Sequence, residues 1–455
     1  MLTENIVRSM ALLWQEIVVA ILIIVLLLVQ IVVKNHERIL LKIALAGLTT
    51  LLLGQCFLAV ETTASFFFSM AVESPLVRQF GMLLTSGVLL TILLGVVFPA
   101  APVRSEYYVL LCGVLLGLLL LARAQHFALL LIALETVSIC SYGLVFFTAD
   151  KQAIEAGVKY VLFGIFSSAL MLYGISLWWN VSGSLNGLQH VPEGIPAWSI
   201  ELIFLLILTG LLFKTSAVPF HIWTPDVLQG AHLPVAAFLT VVPKVGALAA
   251  IAILYQPQMD NVLGVSALAT LLLGTLTAIW QTNMRRLMAY SAIAQAGFLL
   301  AAIIAQNTEA LIYYLWAYLL MNFLAFAVMA WKERQTNSQQ IKTFAGTGLA
   351  VPLAGIAMLV AMAGFIGLPP TAGFAAKLVV FSALWQKWQQ TQAPLLLFLF
   401  VLGFVATVVS VYFYLQVPFQ MFFRKGMRVR QLSVLQQIWL LLLSLAIIGL
   451  LLFNL

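Results

Sequence analysis

Charge is what this chain has least of. Only 8% of its 455 residues are Asp, Glu, Lys or Arg, against about 25% in a soluble domain of ordinary composition. So few charges cannot make a normal water-facing surface, which excludes a soluble enzyme, a nucleic-acid reader and a disordered scaffold. Cysteine is nearly absent. Cys56, Cys112 and Cys140 lie in apolar runs without CxxC spacing, which argues for small buried residues and against a disulfide framework or zinc site. No GxGxxG turn, Walker A sequence, cysteine cluster or catalytic-triad pattern occurs. The chain alone therefore offers no nucleotide, flavin or iron–sulfur chemistry. The N-terminal stretch lacks the basic region and small-residue cleavage site of a signal peptide, and reads as a retained span.

What fills the chain is apolar: 63% of residues are hydrophobic and the mean hydropathy is +1.10. A spanning helix needs about 20 such residues. Runs of this kind lie near 11–33, 39–60, 81–98, 107–121, 124–147, 157–180, 198–218, 235–255, 262–280, 286–305, 309–331, 352–386, 394–415 and 433–453. They predict an all-α polytopic membrane protein of about 14 transmembrane helices. Two runs look broken. The seventh meets Pro219 and Pro225, and the twelfth contains Gly364, Gly367, Pro369, Pro370 and Gly373. Proline removes a backbone donor and clashes with the preceding turn. Inside a membrane such breaks survive only where protein or a water-filled cavity covers the freed backbone. Broken spans in corresponding positions of two halves point to a transporter built of repeats, although the halves show no convincing residue-by-residue similarity.

The charges sort by side. There are 22 Lys+Arg and 15 Asp+Glu, a net charge of +7. With loop 34–42 taken as cytoplasmic, that side holds Lys34, Arg38, Lys42, Arg104, Lys151, Arg285, Arg286, Lys332, Arg334, Lys342, Arg424, Lys425, Arg428 and Arg430. The opposite side holds only Arg8, Arg78, Arg123 and Lys387. By the positive-inside rule, both termini are expected on the non-cytoplasmic side and the number of spans is expected to be even.

Four cations remain: Lys159, Lys214, Lys244 and Lys377, all within apolar segments, together with Glu135. Glu135 falls about eleven residues into its span, near mid-depth at 1.5 Å per residue. Lys244 falls roughly 15 Å past Pro234 in a hydrocarbon core about 30 Å thick. Lys214 precedes the first break, and Lys377 follows Pro370. A charge at such depth is costly and usually faces a polar cavity or a partner. Two plainer readings stand beside this one: snorkelling of the stem to an interface, most applicable to Lys159, and a structural ion pair. The number of central charges favours a proton path. Burial and a nearby carboxylate act on a lysine in opposite directions, so moving the carboxylate switches proton release. Protonated lysines are poor ligands for metal cations. His221 and His232 flank the first break and could assist a relay. His126 begins a span, and His36 and His190 lie in loops; a lone membrane histidine is more often a hydrogen-bonded structural residue. Asp226 reads as a structural residue that caps or anchors the short helix after the break.

One stretch, FKTSAVPFHIWTPDVLQGAHLPVAAFLTVVPK (213–244), closely resembles the helix-seven-to-eight signature of the N-type antiporter-like membrane subunit of respiratory complex I. The resemblance continues in order through LETVSICSYG (134–143), KYVLFGIFSSALMLYG (159–174), MRRLMAYSAIAQAGF (284–298), YLLMNFLAF (318–326) and GLPPTAGFAAK (367–377). It covers most of the chain from about 107 to 415, by motif spacing.

The resemblance implies a proton-translocating subunit with two inverted five-helix repeats and broken helices 7 and 12. Residues 1–106 would hold helices 1–3, 107–255 the first repeat, 256–415 the second and 416–455 helix 14. The family's relay residues would fall on Glu135, Lys159, Lys214, Lys244 and Lys377, with Glu135 and Lys214 as the switching pair, Lys244 as the central relay and Lys377 leading to the outlet or the neighbouring subunit. His221, His232 and Gln295 would be auxiliary. Gln295 stands where the family commonly has histidine, so it can hold a water chain but cannot change charge. Leu228 replaces a usual tyrosine. The long lateral helix of the L-type subunit is not expected. No cofactor is implied in this chain; FMN, iron–sulfur clusters and quinone would belong to partner subunits. The implied partners are an M-type antiporter-like subunit, small K-type subunits and the lipid bilayer, in a bacterial inner membrane, with no nucleic acid. The alternative is an Mrp-like cation/proton antiporter subunit, driven by an ion gradient.

Overall fold

The computed structural model describes residues 9–33, 37–58, 63–99, 105–148, 151–186, 194–426 and 430–452. Arg8, Lys34, His36, Arg104, His190 and Arg428 lie outside the described residues. In chain order the main helices are α1 (Trp14–Val32), α2 (Glu37–Phe57), α3 (Pro75–Val97), α4 (Glu106–Leu121), α5 (Phe127–Val145), α6 (Lys151–Ser182), α7 (Ala197–Thr215), α8 (Trp223–Gly230) and α9 (Leu233–Leu254). They continue as α10 (Asp260–Ile279), α11 (Met284–Ile304), α12 (Thr308–Thr336), α13 (Pro352–Ile366), α14 (Ala372–Thr391), α15 (Pro394–Phe423) and α16 (Val434–Leu452). Each of the fourteen apolar runs holds a helix. Among the described residues twelve helices are long and apolar enough to cross a membrane. The strict count falls short of fourteen for two physical reasons. With 16 residues, α4 is only about 24 Å long, and the twelfth run is divided between α13 and α14. A small antiparallel hairpin, β1 (Ala64–Phe66) with β2 (Ala71–Glu73), joins α2 to α3.

The contacts divide the chain into two compact units. One comprises residues 1–89, 102–215 and 242–262; the other comprises 90–101, 216–241 and 263–455. In the first, α4 packs on α5 and α6 on α7. Gly174 allows the latter pair to approach closely: a Cβ there would lie 2.7 Å from the Ile207 backbone nitrogen. Small residues at such crossings replace the missing hydrophobic drive between helices in lipid. In the second unit α12 is the hub, packed against α11, α13, α14 and α16. Both α11 and α12 are largely buried, whereas α15 and α16 leave most of their apolar surface open. Leu441, Leu442 and Leu445 of α16 show the outward face, as expected of helices that meet lipid or a membrane partner.

Loop contacts follow the alternation expected from the charges. In the first unit the Phe67 amide donates to Ser9 Oγ, Ala71 bridges Ala124, and His126 bridges Asn186. The N-terminal end and the connections after α2, α4 and α6 therefore share one side. In the second unit Arg286 reaches Asp226, Asn283 bridges Gln340, and the Arg430 amide donates to Gln335. Those connections share a side too.

At both breaks the freed backbone groups are satisfied, as an apolar surrounding requires. After α7, the Val218 amide donates to Thr270 Oγ1 at 2.9 Å and its carbonyl accepts from Ser266 Oγ at 2.6 Å. Ser266 and Thr270 are one helical turn apart on α10, so the two hydroxyls bracket one peptide unit. The second break is completed differently, by Lys377.

One buried charge cluster lies outside the expected set. Arg123, read from sequence as an outer-side cation, is only 1% exposed. Its Nε meets Glu16 at 2.8 Å, and its Nη1 meets Glu73 at 2.7 Å and the Leu12 carbonyl at 2.8 Å. One guanidinium thus ties α1, the hairpin and the α4–α5 turn together. Burial raises the Glu73 carboxyl above its usual range, partly opposed by Arg123, with Glu16 adding to the rise. The folded chain then holds that proton more tightly than the unfolded one. This contribution to stability is full below the ordinary carboxyl value of 4.5 and is lost as pH rises through the raised value. Arg123→Met should cost on the order of 3–5 kcal/mol, because it strands two buried carboxylates. Glu73→Gln should flatten the decline in stability as pH rises towards neutrality. Thermal unfolding of the purified protein against pH checks both.

Candidate functional site

The first unit builds a polar pocket around Lys214 from one face of α5. Glu135, Ser138 and Tyr142 follow at three and seven residues, which places them in line along a helix. Lys214, in the last turn of α7, is 1% exposed. Its Nζ donates to Tyr160 Oη at 3.2 Å. It also sits 5.0 Å from the Tyr160 ring centre, 5.4 Å from that of Tyr142 and 5.3 Å from that of Phe213. Tyr160 has Ser141 within hydrogen-bonding reach, and Tyr142 has Ser138. Glu135 acts on Lys214 through space, and its Oε1 is buried without a hydrogen-bond partner among the described residues. The ammonium is therefore held by a hydroxyl and three aromatic faces, with the carboxylate next in line. Each desolvated cation–π contact is worth about 2 kcal/mol, and a charge-assisted hydrogen bond about 1.5–3 kcal/mol. Together they are comparable with the several kcal/mol that a buried charge costs.

Lys244, also in the first unit, is 0% exposed and follows Pro243 inside α9. Lys159 is different. It pairs with Glu155, four residues back, at 2.8 Å, and its side chain is 39% exposed. Its neighbour Tyr160 faces the core, and successive helical residues point about 100° apart.

The second unit builds its site on the other break. Gly367 ends α13 with φ +88°, a left-handed conformation that favours glycine. The Gly367 and Leu368 amides both donate to the Ala363 carbonyl. This leaves the last carbonyls of α13 open. Lys377 of α14, 5% exposed, takes two of them: Nζ donates to Phe365 O at 3.0 Å and to Ile366 O at 2.9 Å. It also lies 4.6 Å from the Phe298 ring centre. A cation at a helix C-terminus is favoured by the aligned peptide dipoles. Gln295 of α11 reaches the same Phe365 carbonyl at 3.3 Å, donates to Tyr414 Oη at 3.1 Å, and accepts from Tyr314 Oη at 2.5 Å. Ser291 bonds Tyr414 at 2.6 Å. Gln295 and Lys377 thus meet at one carbonyl, at the edge of a buried hydroxyl network.

His221 and His232 lie at the α7–α9 connection. His221 Nδ1 and both ring nitrogens of His232 are buried without hydrogen-bond partners among the described residues. Burial, then the charge of Arg285, lowers His232 to about 4, so it is neutral at physiological pH. Asp226 binds Arg286 at 2.8 Å, an ion pair that anchors its short helix. Arg285 clamps Glu333 and the carbonyls of Gln229 and Ala231. Among the described residues no group of three His, Cys, Asp or Glu could hold a metal ion.

The family described as NADH:quinone oxidoreductase/Mrp antiporter, TM, matches residues 124–410. The chain belongs to this family. Within the NADH:quinone oxidoreductase/Mrp antiporter family it is of the N type. It is 32% identical to the NADH-quinone oxidoreductase subunit N of Chlorobium chlorochromatii over 446 residues, covering 90% of this chain and 84% of that protein. It superposes on a chain of respiratory complex I from Thermus thermophilus with bound aureothin at a TM-score of 0.84 and 31% identity, covering 96% and 97% of the two chains. A chain of the Mrp complex from Dietzia sp. gives a TM-score of 0.84 at 17% identity, covering 97% and 94%. That second structural likeness speaks to the fold alone.

Sequence reasoning missed the tyrosines. Tyr160, Tyr314 and Tyr414 organise both clusters, yet tyrosine in a membrane helix ordinarily reads as an interfacial anchor. For Tyr160 a signal existed, since it stands inside the KYVLFG stretch. Tyr160→Phe removes the one hydroxyl bonded to Lys214 while keeping two of the three ring contacts unaltered and the third ring in place. It should leave assembly intact and slow proton transfer by about ten-fold, the kinetic equivalent of 1.4 kcal/mol. Proton uptake by proteoliposomes containing the variant measures this.

Proposed function

We infer that this chain is a proton-translocating subunit in the membrane arm of a complex I type NADH:quinone oxidoreductase, a multi-pass membrane protein that works within a multisubunit complex. The observation that carries the reading is the set of three buried lysines, Lys214, Lys244 and Lys377, in membrane helices of an N-type chain. No redox group is assigned to this chain. FMN, iron–sulfur clusters and quinone belong to partner subunits, where electron transfer drives proton movement. An M-type antiporter-like subunit and small K-type subunits are its neighbours, in a bacterial inner membrane with both termini on the non-cytoplasmic side.

The proton carriers are Glu135, Lys159, Lys214 and Lys244 in one unit and Lys377 in the other, with His221, His232 and Gln295 in support. The hydroxyl chain Ser141–Tyr160–Lys214 supports a carrier role for Lys214, because each member can both donate and accept, or switch its proton. Gln295 links Lys377 to Tyr314 and Tyr414 without changing charge. The exposed ion pair of Lys159 with Glu155 supports a role at the margin of the path. The two inverted repeats, 107–255 and 256–415, carry one broken helix each. Identity to quinone oxidoreductase subunits near one third, against 17% to the Mrp chain, favours redox-driven translocation over cation exchange.

Lys214→Ala and Lys244→Ala should each abolish or strongly reduce proton pumping in the assembled complex without loss of the subunit. The proton-to-electron ratio in proteoliposomes, measured beside subunit content, checks this. Pumping at the wild-type ratio in assembled variants would remove the assignment.

A further inference from the structure

Within the second unit a cavity of about 700 Å³ opens where three membrane helices end. Val97 and Phe98 at the end of α3 and Trp331 near the end of α12 form an apolar wall. Arg334 and Arg430 line the same cavity, and both are exposed. Neither guanidinium has a partner among the described residues, and no acidic residue is among the described lining residues. The backbone of Arg430 is fixed by Gln335, which accepts from its amide at 2.9 Å and donates to its carbonyl at 3.3 Å. The cavity therefore presents two exposed guanidiniums without an acidic neighbour among its described lining residues, beside an apolar wall.

We propose that this cavity binds the headgroup of an anionic phospholipid from the leaflet on the basic-loop side. Guanidinium matches phosphate in charge and in its forked donor geometry. A basic pocket between helix ends at the membrane surface is suited to an anionic headgroup. A free phosphate would satisfy the arginines equally, but the surroundings favour a lipid. Val96, which also lines the cavity, is 41% exposed. With Val97 and Phe98 it gives the cavity an apolar side against which the start of an acyl chain can lie.

The test uses the full-length chain, purified in mild detergent, stripped of lipid and titrated with phosphatidylglycerol while native mass spectrometry counts bound lipid. One phosphatidylglycerol should bind more tightly than phosphatidylcholine. Each arginine contributes about five-fold in affinity, so R334Q/R430Q should bind about twenty-five-fold more weakly, while R334K/R430K, which keeps the charge, should retain most of the binding. An excess of inorganic phosphate should not displace the lipid. Undiminished phosphatidylglycerol binding by the glutamine variant would overturn the proposal. So would equal binding of phosphatidylcholine, or displacement by inorganic phosphate, which would mark a site for the free ion.

Discussion

An ammonium group kept out of water is the constraint on which the rest of this molecule depends. Three lysines are almost wholly buried in a chain of which only 8% of residues are charged. On the proposed function each must be held well enough to be tolerated and loosely enough to give up its proton. A direct, ideal salt bridge would do the first and prevent the second, since separating such a pair in a low-dielectric interior is strongly unfavourable. Lys214 instead bonds a tyrosine hydroxyl amid three aromatic rings, with Glu135 acting through space. Lys377 bonds two carbonyls at a helix end. Both arrangements stabilise the cation with dipoles and quadrupoles that remain in place when the proton leaves.

The broken helices follow from the same constraint. A continuous helix consumes its own carbonyls, whereas a broken one leaves its last ones open. At the second break those open groups become the seat of Lys377, and Gln295 shares one of them. At the first break, Ser266 and Thr270 take up the freed peptide. Structure and chemistry are coupled at the second break: filling it with a regular helix would remove the carbonyls that hold the buried Lys377. Arg123 shows the opposite solution. It is locked between two carboxylates and a carbonyl, which suits a tie between elements and not a carrier.

Much of this was legible from residues alone, and the reasons are physical. A bilayer sets a length requirement on each apolar run, so the helices could be read one by one. Proline and glycine inside a run mark a break, and a lysine far from either end of a run is conspicuous by its cost. What could not be read depends on the third dimension. Arg123 sits at the end of a span and looked like one more interfacial cation until folding brought Glu16 and Glu73 around it. Lys159 lay in a matching motif, yet its side chain turns to Glu155 while Tyr160 beside it turns inward. Tyr314 and Tyr414 carried no signal, because a tyrosine's polar end counts only when the group it bonds is known. The hairpin joining α2 to α3 was too short to rise above its loop.

The central claim is that the buried lysines change protonation as the complex works. Infrared difference spectroscopy of the energised complex, with ¹⁵N-lysine incorporated into this chain, observes that change directly. The account predicts isotope-sensitive ammonium and amine bands that appear on turnover and are diminished in Lys214→Ala and Lys244→Ala. Turnover with full proton pumping and no isotope-sensitive lysine bands would contradict it.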